Sequence, residues 1–339
     1  MKYLSLTLIT VMAALVLAAC GSISAPSLHN STQLSDGRLA TSRCAFAWIQ
    51  NGKSFSCQRN LGKSWMKKSA SGTLLYVSDI GAETIDIFSY PAGKLTGTIT
   101  GLSEPNGLCS DSKGNVFVTE AGNAQIAEFA HGGTKPIATF AAGERMPIDC
   151  AIDPKSGNLA VTFYTYPGAY GSLSIFKNAS GNGTNYSALY RTFNSTFDGS
   201  GDLFVNGFGT DGKAVLGELP AGGSQVEILP LSWNPGWIGG LQWDGKDLAD
   251  GDELAPKFVS GRTLNSVYVV AIKKGAANLV ETAPLDGGLV VAQFWLDGKT
   301  LIGPDAGAGT VDFFPYPKGG AAKKTITGFY EPVGATLSR

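Results

Sequence analysis

One phrase recurs along this chain, and its period restricts the fold more than any other feature. Glu104 to Phe129 reads EPNGLCSDSKGNVFVTEAGNAQIAEF, and Met146 to Phe163 repeats its grammar as MPIDCAIDPKSGNLAVTF. With Asp111 as the ruler, equivalent Asp-turn positions fall at Asp153, Asp198, Asp244 and Asp297, and a sixth equivalent falls at Ser338. The steps are 42, 45, 46, 53 and 41 residues. Each Asp precedes a Gly-containing turn and then a short apolar run, such as VFVTE, LAVTF or LFVNG. Third strands follow in QIAEFA and SLSIFK, and fourth strands in PIATF, QVEIL and KKTIT. Units of about 40–50 residues with four short strands each are the sequence form of propeller blades. The 45 glycines and 16 prolines agree, since both residues are poor in helix interiors.

The two ends of the repeat complement each other. LLYVSDIGAETIDIFSYPAGKLTGTITGL supplies second to fourth strands without an inner one, and the C-terminal EPVGATLS supplies an inner strand without followers. The expectation is an all-β, six-bladed β-propeller over residues 73–339. Its closing blade is shared between N- and C-terminal strands. Such closure removes the open sheet edges that invite aggregation.

GNVFVTEAGNAQIAEF also resembles the NHL repeat, in which Pro-x-Gly, an apolar strand, Asp, Gly-Asn, a strand, Asn and a further strand succeed one another. The resemblance spans 73–339, is clearest in the first two units and fades in the fourth and fifth. It implies kinship with six-bladed propellers that include gluconolactonase-like hydrolases and many non-catalytic extracellular or scaffold proteins. Fold is therefore implied more sharply than activity.

Ahead of the repeat, Lys2 precedes the apolar run Leu4 to Ala19, which is short for a membrane-spanning helix. The run ends in Leu17-Ala18-Ala19-Cys20, which resembles the lipobox of bacterial lipoproteins. On that resemblance residues 1–19 are a signal peptide, 20–43 a lipidated Cys20 with a polar Ser-rich tether, and 44–72 an N-terminal extension. The implied location is the bacterial cell envelope, with the membrane as a partner through the lipid. A plain secretory signal is the alternative. Exported chains favour disulfides, and four cysteines are left after Cys20. Cys44 and Cys57 would staple a short loop. Cys109 and Cys150 stand four and three residues beyond the Pro of their repeats, so on neighbouring inner strands they face opposite ways. The expected bridges are Cys44–Cys57 and Cys109–Cys150, with buried free thiols as the alternative.

A net charge of −1 with no basic run excludes a nucleic-acid partner on electrostatic grounds. His29 lies in the tether and His131 in the turn AHGGTKP, so imidazole chemistry in the channel is disfavoured. Aligning the inner strands on their Asp rulers gives two partial polar rings. The first holds Glu104, Arg191, Trp237 and Glu331, with Met146 and Val290 completing it. A guanidinium binds carboxylates in a bidentate way, and an indole offers an apolar platform, so this set could orient a small polar ligand. The second holds Asp149, Asn194 and Gln293 among glycines, oxygen donors suited to a hard cation such as Ca²⁺. Structural ion pairs and turn caps account for the same residue types. DGKDLADGDELAPK, from Asp244, lacks the order of a calcium loop and reads as an acidic solvated connection. YTYPGAY, Tyr164 to Tyr170, reads as an aromatic insertion after a strand.

The sequence thus supports a lipid-anchored, monomeric envelope propeller acting as a binding or interaction module for a protein or a small polar ligand, and not an enzyme. Two alternatives stand beside it. One is a metal-dependent hydrolase of the lactonase type, with Glu331, Asp149 and Asn194 as cation ligands and Glu104 as a base. The other is a metal-free carbohydrate binder using the Tyr164–Tyr170 loop and Trp237.

Overall fold

In the computed structural model the residues described are 62–68, 71–143, 145–164, 171–259 and 262–339, with the side chains of 254–264 left aside. Cys20, the Cys44–Cys57 pair and most of the Tyr164–Tyr170 insertion lie outside them. The described chain is all-β apart from one 3₁₀ turn at Lys177–Ala179. Six sheets follow one another along the chain, antiparallel throughout except where Gly320–Ala321 pairs parallel with Leu285 and Asp286. Their inner strands are Pro332–Ser338, Pro105–Ser110, Met146–Ile152, Arg191–Phe197, Leu241–Trp243 and Trp295–Asp297, which define blades one to six.

Blade one is the closure. The C-terminal Pro332–Ser338 pairs antiparallel with Leu74–Asp79, from Leu74↔Ser338 to Asp79↔Pro332. Ser338 is tied further to blade two, where its hydroxyl donates to the Gly114 carbonyl and meets His131 Nδ1 at 2.6 Å. The expected shared blade is therefore present, and Trp65–Met66 adds a fifth, outermost strand to it. His131, an ordinary turn residue by sequence, helps fasten the closing strand.

The Asp ruler has a local explanation. Asp111 Oδ1 accepts the amides of Lys113 and Asn115, Asp198 Oδ1 those of Ser200, Gly201 and Asp202, and Asp244 Oδ1 those of Lys246 and Asp247. Each is an Asx turn that reverses the chain between the first and second strands. Asp244 and the equivalent ruler residue Asp297 also join blades. Tyr90 Oη, on blade one, donates to Asp297 Oδ2 of blade six at 2.7 Å, and Tyr316 Oη, on blade six, donates to Asp244 Oδ2 of blade five at 2.9 Å.

Buried clusters of Val, Leu, Ile and Phe fill the spaces between successive blades, such as Leu74, Ile85, Val116 and Phe129 between blades one and two. At the axis the inner strands come so close that side chains are excluded. A Cβ on Gly107 would sit 2.6 Å from the Asp149 Cα, and one on Gly334 2.6 Å from the Asn106 oxygen. This close approach is why the repeat writes Pro-x-Gly there. Cys109 and Cys150 form a disulfide between the inner strands of blades two and three, with Cα atoms 5.6 Å apart, as their parity requires.

One expectation fails. The acidic stretch after Asp244 is no solvated loop, since Leu248–Val259 is the long second strand of blade five, paired with Arg262–Lys273. Asp250 and Asp252 on it, and Asp247 just before it, are buried. The carboxylates are accommodated because each finds donors, as described below.

Replacing both cysteines, Cys109→Ser with Cys150→Ser, is expected to cost about 2–4 kcal/mol in chemical denaturation, the usual range for a native bridge. Tyr316→Phe and Tyr90→Phe should each cost about 1 kcal/mol, because each removes one hydrogen bond to a carboxylate that keeps other partners, turn amides for Asp244 and the Arg339 guanidinium for Asp297. Equal stability of both Phe variants and the wild type would show that these inter-blade bonds hold nothing.

Candidate functional site

In four blades a carboxylate on the second strand clamps the segment that leads into its own inner strand. Asp79 accepts the amides of Tyr330 and Glu331 at 2.8 and 2.9 Å. Asp305 accepts those of Leu289 and Val290 at 2.7 and 3.0 Å, and Asp252 those of Gly236 and Trp237 at 2.8 and 3.0 Å. Glu120 accepts the Ser103 amide at 3.1 Å. These four carboxylates are buried, and their partners are fixed backbone donors, the arrangement that makes a buried charge tolerable. The recurrence of an acid at the ends of LLYVSD, VFVTE, LADGD and LIGPD was the available signal for them.

Blades three and four lack the clamp. Their second strands end in Tyr164 and Phe208. Those rings belong to a continuous row across blades three to five. Tyr164 meets Phe193 with centroids 6.2 Å apart, Phe193 meets Phe208 at 5.7 Å, and Phe208 meets Trp237 at 5.0 Å. All three contacts are edge-to-face, the favourable geometry for aromatic quadrupoles. Tyr164, Phe193 and Trp237 are half-buried, so the row is only partly covered. Arg191 pairs with Phe208 in register, and its guanidinium lies 5.8 Å from the Tyr190 ring centre.

Beneath the row lies a buried polar floor. Ser195 donates its amide to Asp149 Oδ2 at 2.8 Å. The Asn194 side-chain nitrogen donates to the Gly239 carbonyl at 2.7 Å, and that of Asn206 donates to the same carbonyl at 2.9 Å and to Asp250 Oδ1 at 2.8 Å. Burial pushes the Asp149 carboxyl up to about 7, against the opposing hydrogen bonds from Ser195 and Cys150. Burial likewise pushes Asp250 up to about 7, with Asp252 adding to it and the Asn206 amide opposing. Glu253 beside them is raised for the same first reason, although the Trp237 side chain hydrogen-bonds it.

The sequence-derived rings are placed as follows. Glu104, Val290 and Glu331 occupy equivalent points, each accepting an amide from the turn after its second strand, and Trp237 shares the clamped amide with Val290 and Glu331. Arg191 and Trp237 are brought together through Phe208. Glu104 is exposed on blade two, and Glu331 is half-buried on blade one, where burial and then Asp79 raise its carboxyl. Asp149 and Asn194 lie on adjacent inner strands and are both buried. Gln293 approaches the axis from blade six, and its amide donates to the Ile148 carbonyl on the opposite blade at 3.2 Å. Among the described residues no group of three or more His, Cys, Asp or Glu is placed to hold a metal ion.

No family model matches the sequence, and no curated protein matches it. Solved structures do match in fold. A chain from a nidogen/laminin complex aligns with a TM-score of 0.63 at 15% identity, covering 79% of this chain and 99% of that one. A protein of unknown function from Bacteroides caccae aligns with a TM-score of 0.58 at 16% identity, covering 79% of this chain and all (100%) of that one. A chain of hydrazine synthase from Kuenenia stuttgartiensis aligns with a TM-score of 0.55 at 15% identity, covering 79% and 80%. At these identities the likeness establishes the propeller fold alone.

The raised carboxyls make stability pH-dependent in a known direction. Unfolded carboxyls titrate near about 4, so between about pH 4 and 7 the folded state holds more protons than the unfolded. The contribution of Asp149 and Asp250 is fully present below about pH 4 and is lost as the pH rises through about 7. Asp149→Asn and Asp250→Asn keep an acceptor oxygen and remove the ionisation. Each should raise the melting temperature at pH 8 by more than at pH 4.5. A uniform loss at both pH values would show that the charged form is the one the fold requires.

Proposed function

We propose that this propeller is a binding module whose partner docks over the aromatic row of blades three to five. The observation that carries this reading is the exchange of clamp carboxylates for Tyr164 and Phe208 in two consecutive blades. Four blades show how the strand end is held when only the fold is served. The two that depart from it build a row of rings in which Tyr164 and Phe193 are partly exposed and Phe208 is buried, with Arg191 paired in register to Phe208. Aromatic and Arg side chains are the residues enriched at binding hot spots. One structure of similar fold comes from a nidogen/laminin complex, an assembly of proteins, which fits an interaction role. The NHL-like repeat text is compatible with the same use.

The same row supports a second reading, a sugar ring stacked on Trp237 and Tyr164 with no metal required. A lactonase-type hydrolase would need Glu331, Asp149 and Asn194 to converge on a cation. Asp149 and Asn194 are already engaged with Ser195, Asn206 and Gly239. The interaction module is therefore preferred.

We also propose that the module is displayed on the bacterial cell envelope through lipid on Cys20, on the strength of Leu17-Ala18-Ala19-Cys20 and of a bridge suited to an oxidising compartment. Dual or triple acylation would make that anchoring stable.

Trp237→Ala is expected to weaken partner binding at least tenfold in a pull-down or glycan-array titration and, because the indole packs on Phe208 and hydrogen-bonds Glu253, to lower the melting temperature as well; unchanged binding by the folded variant would refute the docking site. Ca²⁺ and Zn²⁺ should leave the melting temperature unshifted; a rise of several degrees would favour the hydrolase, since a ligand bound only to the native state stabilises it. Metabolic labelling with a tagged fatty acid should mark the full-length chain and not Cys20→Ala. Equal labelling of both would refute the anchor.

A further inference from the structure

A separate cleft of about 470 Å³ opens on the outer part of blades two and three. It is lined by Ala142, Gly143 and Arg145, on the connection leaving blade two, and by Ser172, Asn185, Tyr186 and Ser187 on the outer strands of blade three. Its volume falls within the range of small-ligand pockets. The feature that sets it apart is the setting of its one cation.

Among the described residues the groups that hold Arg145 are neutral. Its guanidinium carbon stands 3.8 Å from the centre of the Phe163 ring, a cation–π contact. Nε donates to the Ala142 carbonyl at 3.0 Å, and Nη1 donates to the hydroxyls of Ser172 and Ser174 at 3.3 and 3.0 Å. Ser174 in turn donates to Asn185 Oδ1 at 2.6 Å. Among the described residues no carboxylate meets Arg145, and burial pushes its pKa down.

The hydrogen-bond inventory then has a sign. Nη1 and Nε are committed to the protein, whereas Nη2 is left for a ligand. The Ser172 hydroxyl accepts from Arg145, so its own proton is left to donate. Asn185 accepts through Oδ1, which turns its NH₂ outward as a further donor. Three donors and one positive charge thus line the same cleft as the Tyr186 ring. We propose that this cleft binds the carboxylate of a small organic acid of sugar size, with Arg145 Nη2, Ser172 and Asn185 as donors and Tyr186 as the apolar wall. One fixed cation among neutral donors matches a monoanion better than a phosphate dianion.

The test uses glucuronate as probe, with glucose and inorganic phosphate as controls, in calorimetric or NMR titrations of the full chain. Glucuronate should bind, glucose should not, and phosphate should bind at least tenfold more weakly. Arg145→Gln should weaken glucuronate at least tenfold. Because Arg145 also packs on Phe163, Asn185→Asp provides a variant that leaves this packing alone. It keeps the acceptor for Ser174 and places a carboxylate beside the guanidinium, so glucuronate binding should fall at least tenfold while the melting temperature holds or rises. Silence of glucuronate with the wild-type chain, equal binding of glucose, tighter binding of phosphate, or an unaltered Asn185→Asp variant would each overturn the proposal.

Discussion

The pairing of Pro332–Ser338 with Leu74–Asp79 is the contact on which the rest of the structure depends. Without it the six sheets would be a linear array with an exposed strand at each end, and nothing would fix how far apart the inner strands stand. With it, each inner strand is pressed against its neighbours, and Gly107 and Gly334 mark where no side chain fits. Ring closure also lets a residue of blade six, Gln293, hydrogen-bond to blade three across the axis. The centre is thus bridged by protein, and the more open chemistry moves outward to the ends of the strands.

That shift explains what could be read from the sequence and what could not. The Asp ruler was legible because each Asp is satisfied by amides of its own turn, so its cause lies within five residues. The Cys109–Cys150 bridge was legible because strand parity alone decides which way a side chain points. Asp250 and Asp252 were misjudged because acids are poor strand formers, and their donors, Asn206, Gly236 and Trp237, come from elsewhere in the chain. The aromatic row was out of reach for the same reason. Each of its contacts joins residues 15 to 29 positions apart, and only the ring brings them into line. Arg145 carried no repeat signal at all, since it sits on a connection and its hydroxyl partners Ser172 and Ser174 lie on an outer strand of blade three.

The blades also show how a repeated fold frees individual positions. Asp79, Asp252 and Asp305 bind two successive backbone amides in the same pattern, so the clamp is a solution the chain can rewrite at each turn of the ring. Stability in such an array is distributed over units and their interfaces. Losing the clamp in blades three and four is therefore tolerable, because the disulfide between blades two and three and the Asn194–Asn206–Asp250 network hold the same sector by other means. Covalent and hydrogen-bonded support replaces the clamp where the surface has become aromatic.

The polar floor and the outer cleft obey one electrostatic rule with opposite outcomes. Asp149 and Asp250 are buried with too few donors to keep their charge, so they answer by binding protons. Arg145 is partly buried with too few acceptors, but a guanidinium has no such escape, because it does not deprotonate in proteins. Among the described residues no carboxylate answers it, which leaves its charge to solvent or to an anion. An aromatic face beneath the guanidinium and two hydroxyls at Nη1 fix its direction, and a cation fixed in direction recognises shape as well as charge. The same burial that turns two acids into proton acceptors thus turns one Arg into a receptor for carboxylate.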